Sequence, residues 1–239
     1  LLEDLRLLNN RFSGEVLPTI LGCTRLRILL LSGNQFTGEI PPQLADLQSL
    51  ESLTLGFNRF SGHIPASLGQ MTRLQGLELY NNEFVGDLPE ELGQLTALTA
   101  LSLGNNRLLN PGAVPTWISG LTNLTYLDLR DMNLTGPIPA SLGNLRQLRN
   151  LYLHSNHLSG PVPAALGELT ELVSLWLGGN ALVGSVPTSL LNLTKLADSQ
   201  SDMSYNGLHA DDPGVAALLA RTQCCNWDWT LSQTVPPAD

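Results

Sequence analysis

The chain has 239 residues, 43% apolar and 14% charged, with 53 leucines and a net charge of -9. So much aliphatic surface at so low a charge density excludes a disordered chain, and glycine without a three-residue period excludes a collagen-like one. Twelve Lys and Arg against 21 Asp and Glu leave no basic run for nucleic acid or an anionic membrane, and no window of about 18 uninterrupted apolar residues spans a bilayer.

The opening residues Leu1-Leu2-Glu3-Asp4-Leu5 already sit inside a periodic pattern, with no signal peptide in view. The natural N-terminus is therefore expected further upstream. Asn then recurs at Asn10, Asn34, Asn58, Asn82 and Asn106, always 24 residues apart, and again at Asn156, Asn180 and Asn206. Two-residue insertions around 109–111 and 197–200 break the spacing, and Met132 fills the slot between Asn106 and Asn156. A fixed period of this length marks a solenoid of stacked coils, with nine turns over residues 1–208.

One turn shows the physics. Leu53-Thr54-Leu55 alternates apolar and polar residues, as a short half-buried strand does. Asn58 turns inward, where its amide bonds backbone groups that the bend leaves unpaired. Asn81, one residue before the next such position, reads as outward and tolerant of change. Gly62 permits a positive-φ bend, Ile64-Pro65 begins the return path, and Leu68 fills the interior from the other side. Met132 has no amide to give, so its bend is expected to be a weak point.

The segments Thr37-Gly38-Glu39-Ile40-Pro41, Ser61-Gly62-His63-Ile64-Pro65, Thr135-Gly136-Pro137-Ile138-Pro139 and Ser159-Gly160-Pro161-Val162-Pro163 resemble the plant-type leucine-rich repeat. Its 24-residue pattern reads LxxLxxLxLxxNxLxGxIPxxLGxL. The resemblance implies an α/β repeat solenoid: a curved right-handed superhelix with a concave parallel β-sheet and an irregular or 3-10 convex side. Such repeats form ectodomains of plant receptor kinases and inhibitors of fungal polygalacturonases. Residues 209–239 depart from the plant pattern. Tyr205-Asn206-Gly207-Leu208, Asp211-Asp212-Pro213 and the segment from Asn226-Trp227-Asp228 to Pro236-Pro237 resemble the C-terminal cap of bacterial secreted proteins with plant-like repeats, leading into a linker. Asp211 to Pro213 can start a helix, Val215 to Leu219 give it an apolar face, and Trp227 or Trp229 is expected to cover the last coil.

Little in the chain points to catalysis. Each glycine has a turn role, so no phosphate loop exists. His63, His154, His157 and His209 pair with no Ser or Cys at a nucleophile's spacing, and the pairs Glu90–Glu91 and Asp211–Asp212 fall in exposed loops. No enzyme activity, metal or other cofactor is expected. Cys23 takes a leucine slot and reads as a buried core thiol. Cys224 and Cys225 are adjacent, too close for an unstrained mutual bridge, so either is left to pair elsewhere or stay reduced. The sequons at Asn123, Asn133 and Asn192 arise readily from the repeat alphabet.

Function is expected on the concave sheet. Residues flanking the inward strand leucines face outward there, and their distribution is uneven. Middle turns present Ser52, Thr54, Gly56, Ala100, Ser102 and Gly104. Later turns gather Tyr126, Asp128, Arg130, Tyr152, His154 and Trp176, the composition of an interface hot spot. Glu78 and Tyr80 extend this patch across the interruption at Ser102 and Gly104. The competing reading makes Asp128–Arg130 a plain surface ion pair. The sequence thus points to a secreted or cell-surface recognition module, of bacterial source by its cap, for a protein or peptide. The alternatives are the targeting ectodomain of a larger receptor kinase or enzyme-bearing effector, or a carbohydrate surface through Tyr126, Tyr152 and Trp176. Ice binding wants one residue type ranked along a flat column, and no column is that regular.

Overall fold

The computed structural model describes residues 2–224 and 229–233. Among them, nine short parallel strands form one sheet in strict chain order. They are Asp4–Arg6, Ile28–Leu30, Ser52–Thr54, Gly76–Glu78, Ala100–Ser102, Tyr126–Asp128, Asn150–Tyr152, Ser174–Trp176 and Ser201–Asp202. Each pairs with the next without slippage: Leu53 lies opposite Leu77, Leu77 opposite Leu101, and Leu151 opposite Leu175. A one-residue slip would turn every inward leucine to solvent, so the leucine column itself holds the register. This sheet is the concave face of the solenoid.

From the second coil to the eighth the far side is a 3-10 turn entered from proline, whereas the first return is the one-turn α-helix Leu17–Ile20. Pro65, Pro89 and Pro163 stand in extended geometry at φ -70, -66 and -66°, immediately before the turns Ala66–Gln70, Glu90–Gln94 and Ala164–Glu168. The ring fixes φ near the value the return path needs. Leu68, Leu92 and Leu166 point inward from these turns and are fully buried. Strand leucines and turn leucines thereby meet in one continuous core, each coil covering its neighbour.

The bends between the two sides are held by the asparagine ladder. Asn58 donates from Nδ2 to the carbonyls of Leu31 (3.0 Å) and Leu55 (2.9 Å), and its Oδ1 accepts from the Phe36 amide at 3.0 Å. Asn82 repeats the pattern one coil later, as do Asn156 and Asn180. The residue before each ladder position adopts positive φ: Phe57, Asn81, Asn105, Asp131, Ser155 and Tyr205 lie between 51 and 58°. Asn81 is therefore not the indifferent outward position expected of it; it occupies a conformation that disfavours most side chains. Gly62, at φ +75°, has the positive-φ bend expected of it.

Met132 corrects a second expectation. The bend there does not rest on packing alone, because Asn156 Oδ1 accepts from both the Met132 and Leu134 amides, each at 3.0 Å. Asn133 adds a bond from Nδ2 to the Arg107 carbonyl at 2.8 Å. The insertion takes effect elsewhere. A second parallel sheet, on the flank after the ladder, runs from Ser13–Gly14 to Leu108–Leu109 and resumes at Thr135–Pro137. One isolated bridge, Ala113 to Thr135, spans the gap, and Asn106 Oδ1 has no partner among the described residues.

At the C-terminal end Asp212 caps helix Pro213–Thr222, accepting from the amides of Gly214 (2.8 Å) and Val215 (3.1 Å). Val215 and Leu219 bury against the last coil. Gln233 then takes the ladder role: its Oε1 accepts from the Leu208 amide at 2.9 Å and its Nε2 donates to the Met203 carbonyl at 3.0 Å. Trp227, the Trp229 side chain and Cys225 lie outside the described residues. Cys23 is only partly buried, against the core leucine expected at its slot. It belongs to the first return turn, which has no preceding coil to cover it.

Candidate functional site

The predicted patch residues come together on the concave face. The register sets Ser102, Asp128, Tyr152 and Trp176 in one row across four strands. Tyr126 and Tyr152 rings lie 5.5 Å apart between centroids, Tyr152 and Trp176 6.2 Å, and His154 and Trp176 5.5 Å. All four are half-buried. Contacts at these separations reinforce area burial and stiffen the group. His154 Nδ1 and Trp176 Nε1 find no partner among the described residues. Burial, with the charge of Arg130 adding to it, holds the His154 pKa below the usual histidine value, so the ring stays neutral and apolar at pH 7.

Asp128 is not part of a surface ion pair. It is 0% exposed. Ser102 Oγ donates to its Oδ2 at 3.2 Å, the Arg130 amide donates to its Oδ1 at 3.2 Å, and Arg130 Nε lies 3.5 Å from Oδ2. The space for it comes from the preceding coil, where a Cβ on Gly104 would sit 2.8 Å from Asp128 Oδ1. Burial pushes the Asp128 pKa up, against Arg130 and the two donors that pull it down. The aspartate thereby anchors Arg130 in one orientation over the sheet.

The interruption expected at Ser102 and Gly104 is a recess. A hollow of about 470 Å³ opens here, with Ala100, Ser102 and Asp128 below, Tyr126 and Arg130 on one side, and Phe57, Glu78 and Tyr80 on the other. A second hollow of about 470 Å³ adjoins it toward the N-terminus over Leu30, Ser32 and Thr54, sharing Phe57, Glu78 and Tyr80 as the partition. Ser102 and Thr54, expected to stand exposed, are 3% and 8% exposed. Small side chains beneath larger neighbours form floors. Burial pushes the Glu78 carboxyl above the usual range and raises the Tyr80 and Tyr126 phenols, so both rings keep their protons at neutral pH.

Phe57 was missed by sequence reasoning. It is 56% exposed at φ +52° and meets the Tyr80 ring edge-on at 5.2 Å. A bulky residue rarely adopts that backbone. The signal was available: neighbouring turns place Asn9, Gly33, Asn81 and Asn105 in the same slot, and Phe57 departs from that alphabet. Gly56 complements it, since a Cβ there would lie 2.5 Å from the Tyr80 ring.

A ladder-stabilised parallel solenoid with a recessed concave face defines a class of recognition scaffold. Leucine-rich-repeat family models match residues 25–47, 48–108 and 114–158, together more than half of the chain, and the chain belongs to the leucine-rich-repeat family. It is similar to the ectodomain of the Arabidopsis receptor kinase HAESA, solved with the peptide hormone IDA and the co-receptor SERK1, at 36% identity and a TM-score of 0.82 over 86% of this chain and 34% of that one. The ectodomain of the Arabidopsis thaliana receptor kinase GASSHO1/SCHENGEN3, in complex with CASPARIAN STRIP INTEGRITY FACTOR 2, matches at 35% identity and 0.80 over 86% and 24%. A Leptospira interrogans leucine-rich-repeat protein matches at 27% and 0.74 over 90% and 52%. The chain spans about a quarter to a third of the receptor ectodomains. No curated protein sequence matches it. No helix among the described residues is long and apolar enough to cross a membrane.

Proposed function

We propose that this chain is a non-enzymatic recognition module, secreted or at the cell surface, which binds an extended peptide or protein segment across the concave face between Phe57 and Trp176. The observation that carries this reading is the run of half-buried rings, Tyr126, Tyr152, His154 and Trp176, ending at an open hollow. Rigid aromatic side chains beside an anchored arginine supply contact area at low entropic cost. The similarity to an ectodomain solved with a peptide hormone supports the same class of ligand.

A random dodecapeptide display library, selected on the intact chain, tests this. Trp176→Ala and Tyr152→Ala should each weaken a selected peptide by about 2 kcal/mol or more. His63→Ala and Asp87→Ala, on exposed loops away from the sheet, should leave it unchanged. Binders indifferent to both aromatic substitutions, or selection of polysaccharide in place of peptide on a matching glycan array, would overturn the proposal.

A further inference from the structure

The hollow between Tyr80 and Tyr126 holds a charge that the protein does not answer. Glu78 ends strand Gly76–Glu78 half-buried, and its carboxylate makes no hydrogen bond or ion pair among the described residues. The one cation lining this hollow, Arg130, is turned to Asp128. With Asp128 and Arg130 offsetting each other, the formal surplus is one negative charge. Around it stand three aromatic rings, Phe57, Tyr80 and Tyr126, whose π faces attract cations, more strongly where water is displaced. An unpaired, partly desolvated carboxylate is unfavourable until a partner arrives. The strained backbone at Phe57 fits the same picture, since it places an exposed ring beside Tyr80 at a local cost that packing does not repay.

The guest's chemistry follows by elimination. An anion meets Glu78 and the buried Asp128. A neutral apolar guest leaves Glu78 unpaired and more deeply desolvated. A divalent metal finds one available carboxylate where several oxygen ligands are wanted. An organic cation satisfies the carboxylate and stacks on the rings, and the chain's net charge of -9 favours its approach.

We propose that this hollow is a cation pocket, in which Glu78 with Phe57, Tyr80 and Tyr126 takes an ammonium or guanidinium group of the ligand. The proposal rests on the reading that a peptide lies along the concave face, and adds what that peptide must carry: a lysine or arginine side chain, or a free N-terminal amine, seated three to four coils before the Trp176 contact.

The same display selection, run in parallel on the wild-type chain and on Glu78→Gln, tests it. Wild-type selection should yield a fixed basic position, or a required free amine. In calorimetry with the selected peptide, replacing that lysine by norleucine, or that arginine by citrulline, should weaken binding at least tenfold. Acetylating the N-terminus separates the two sources of the cation. Glu78→Gln should lose the basic preference while retaining dependence on Trp176, and its loss and the norleucine loss should not add. Peptides that need Trp176 but show no cationic position, or that bind Glu78→Gln as tightly as wild type, overturn the cation pocket and leave the concave binding face intact. Peptides that ignore Trp176 and Tyr152 overturn the binding face and the pocket together. Unchanged circular dichroism and melting temperature of Glu78→Gln would exclude misfolding as the cause of any loss.

Discussion

Replacing Asn82 by alanine tests the ladder at a position where every partner is known. Asn82 Oδ1 accepts from the Phe60 amide at 2.9 Å, and Nδ2 donates to the carbonyls of Leu55 and Leu79 at 3.0 Å each. The two carbonyls keep other donors, since Asn58 also bonds the Leu55 carbonyl and Asn106 the Leu79 carbonyl. Losing those bonds costs about 1 kcal/mol together. The Phe60 amide has no substitute and is left unpaired beside a fully buried ring, which costs about 1–3 kcal/mol. The expected destabilisation is about 2–4 kcal/mol, read from urea denaturation with an unchanged m-value. The neighbouring residue supplies the control, with a sign set by its backbone. Asn81 sits at φ +52°, so Asn81→Gly should be within about 0.5 kcal/mol of wild type, whereas Asn81→Ala should cost about 1 kcal/mol. An Asn82→Ala midpoint equal to that of Asn81→Gly would refute the ladder as a source of stability.

Two further outcomes follow from departures from the repeat. Amide exchange should be fast at Gly112 and Ala113, in the gap where one bridge joins the two parts of the flank sheet, while the Met132 and Leu134 amides, both held by Asn156, should be protected like those of regular coils; the reverse order would contradict the hydrogen-bond assignment. Phe57→Gly should leave the melting temperature unchanged or raise it slightly, because the ring is exposed and its backbone strained, yet weaken a selected peptide at least fivefold; a fall in melting temperature without loss of binding would make Phe57 a packing residue.

The coil was legible because its determinants repeat. Strand, ladder and return path each depend on residues within one period, and the inward leucines admit one register. The outward columns were legible to the same extent, which is why Tyr126, Tyr152 and Trp176 are found side by side. Depth was not legible. Whether Thr54, Ser102 or Asp128 is exposed depends on what the adjacent coil sets over it, some 24 to 26 residues away. Gly104 makes the space that Asp128 fills, and neither residue shows this alone. Phe57 was hidden for another reason. Its slot demands positive φ, a backbone preference the other coils satisfy mostly with Asn, Gly, Ser or Asp, and pattern reading attends to the ladder asparagine beside it.

Regularity and function are therefore separable in this molecule. The periodic residues place the outward columns about 4.8 Å apart and prescribe nothing about what fills them. In the Ser102 row, the sheet passes from a small hydroxyl to a buried carboxylate, a phenol and an indole across four strands. Such a gradient contributes little to the core, which the leucines supply by themselves. Three features of the concave face are each unfavourable for an isolated solenoid: Glu78 without a partner among the described residues, Phe57 at positive φ, and His154 Nδ1 and Trp176 Nε1 buried with no partner among the described residues. They lie on one face, within the stretch from the third to the eighth strand. Elsewhere among the described residues, the buried side-chain groups without a partner are the hydroxyls of Ser32, Thr54 and Ser201, Asn106 Oδ1 and, on the return side, Trp117 Nε1. A fold that pairs its ladder bonds so consistently, yet leaves Glu78 without a partner beside an exposed ring at positive φ, supports the proposal that a ligand completes this part of the concave face.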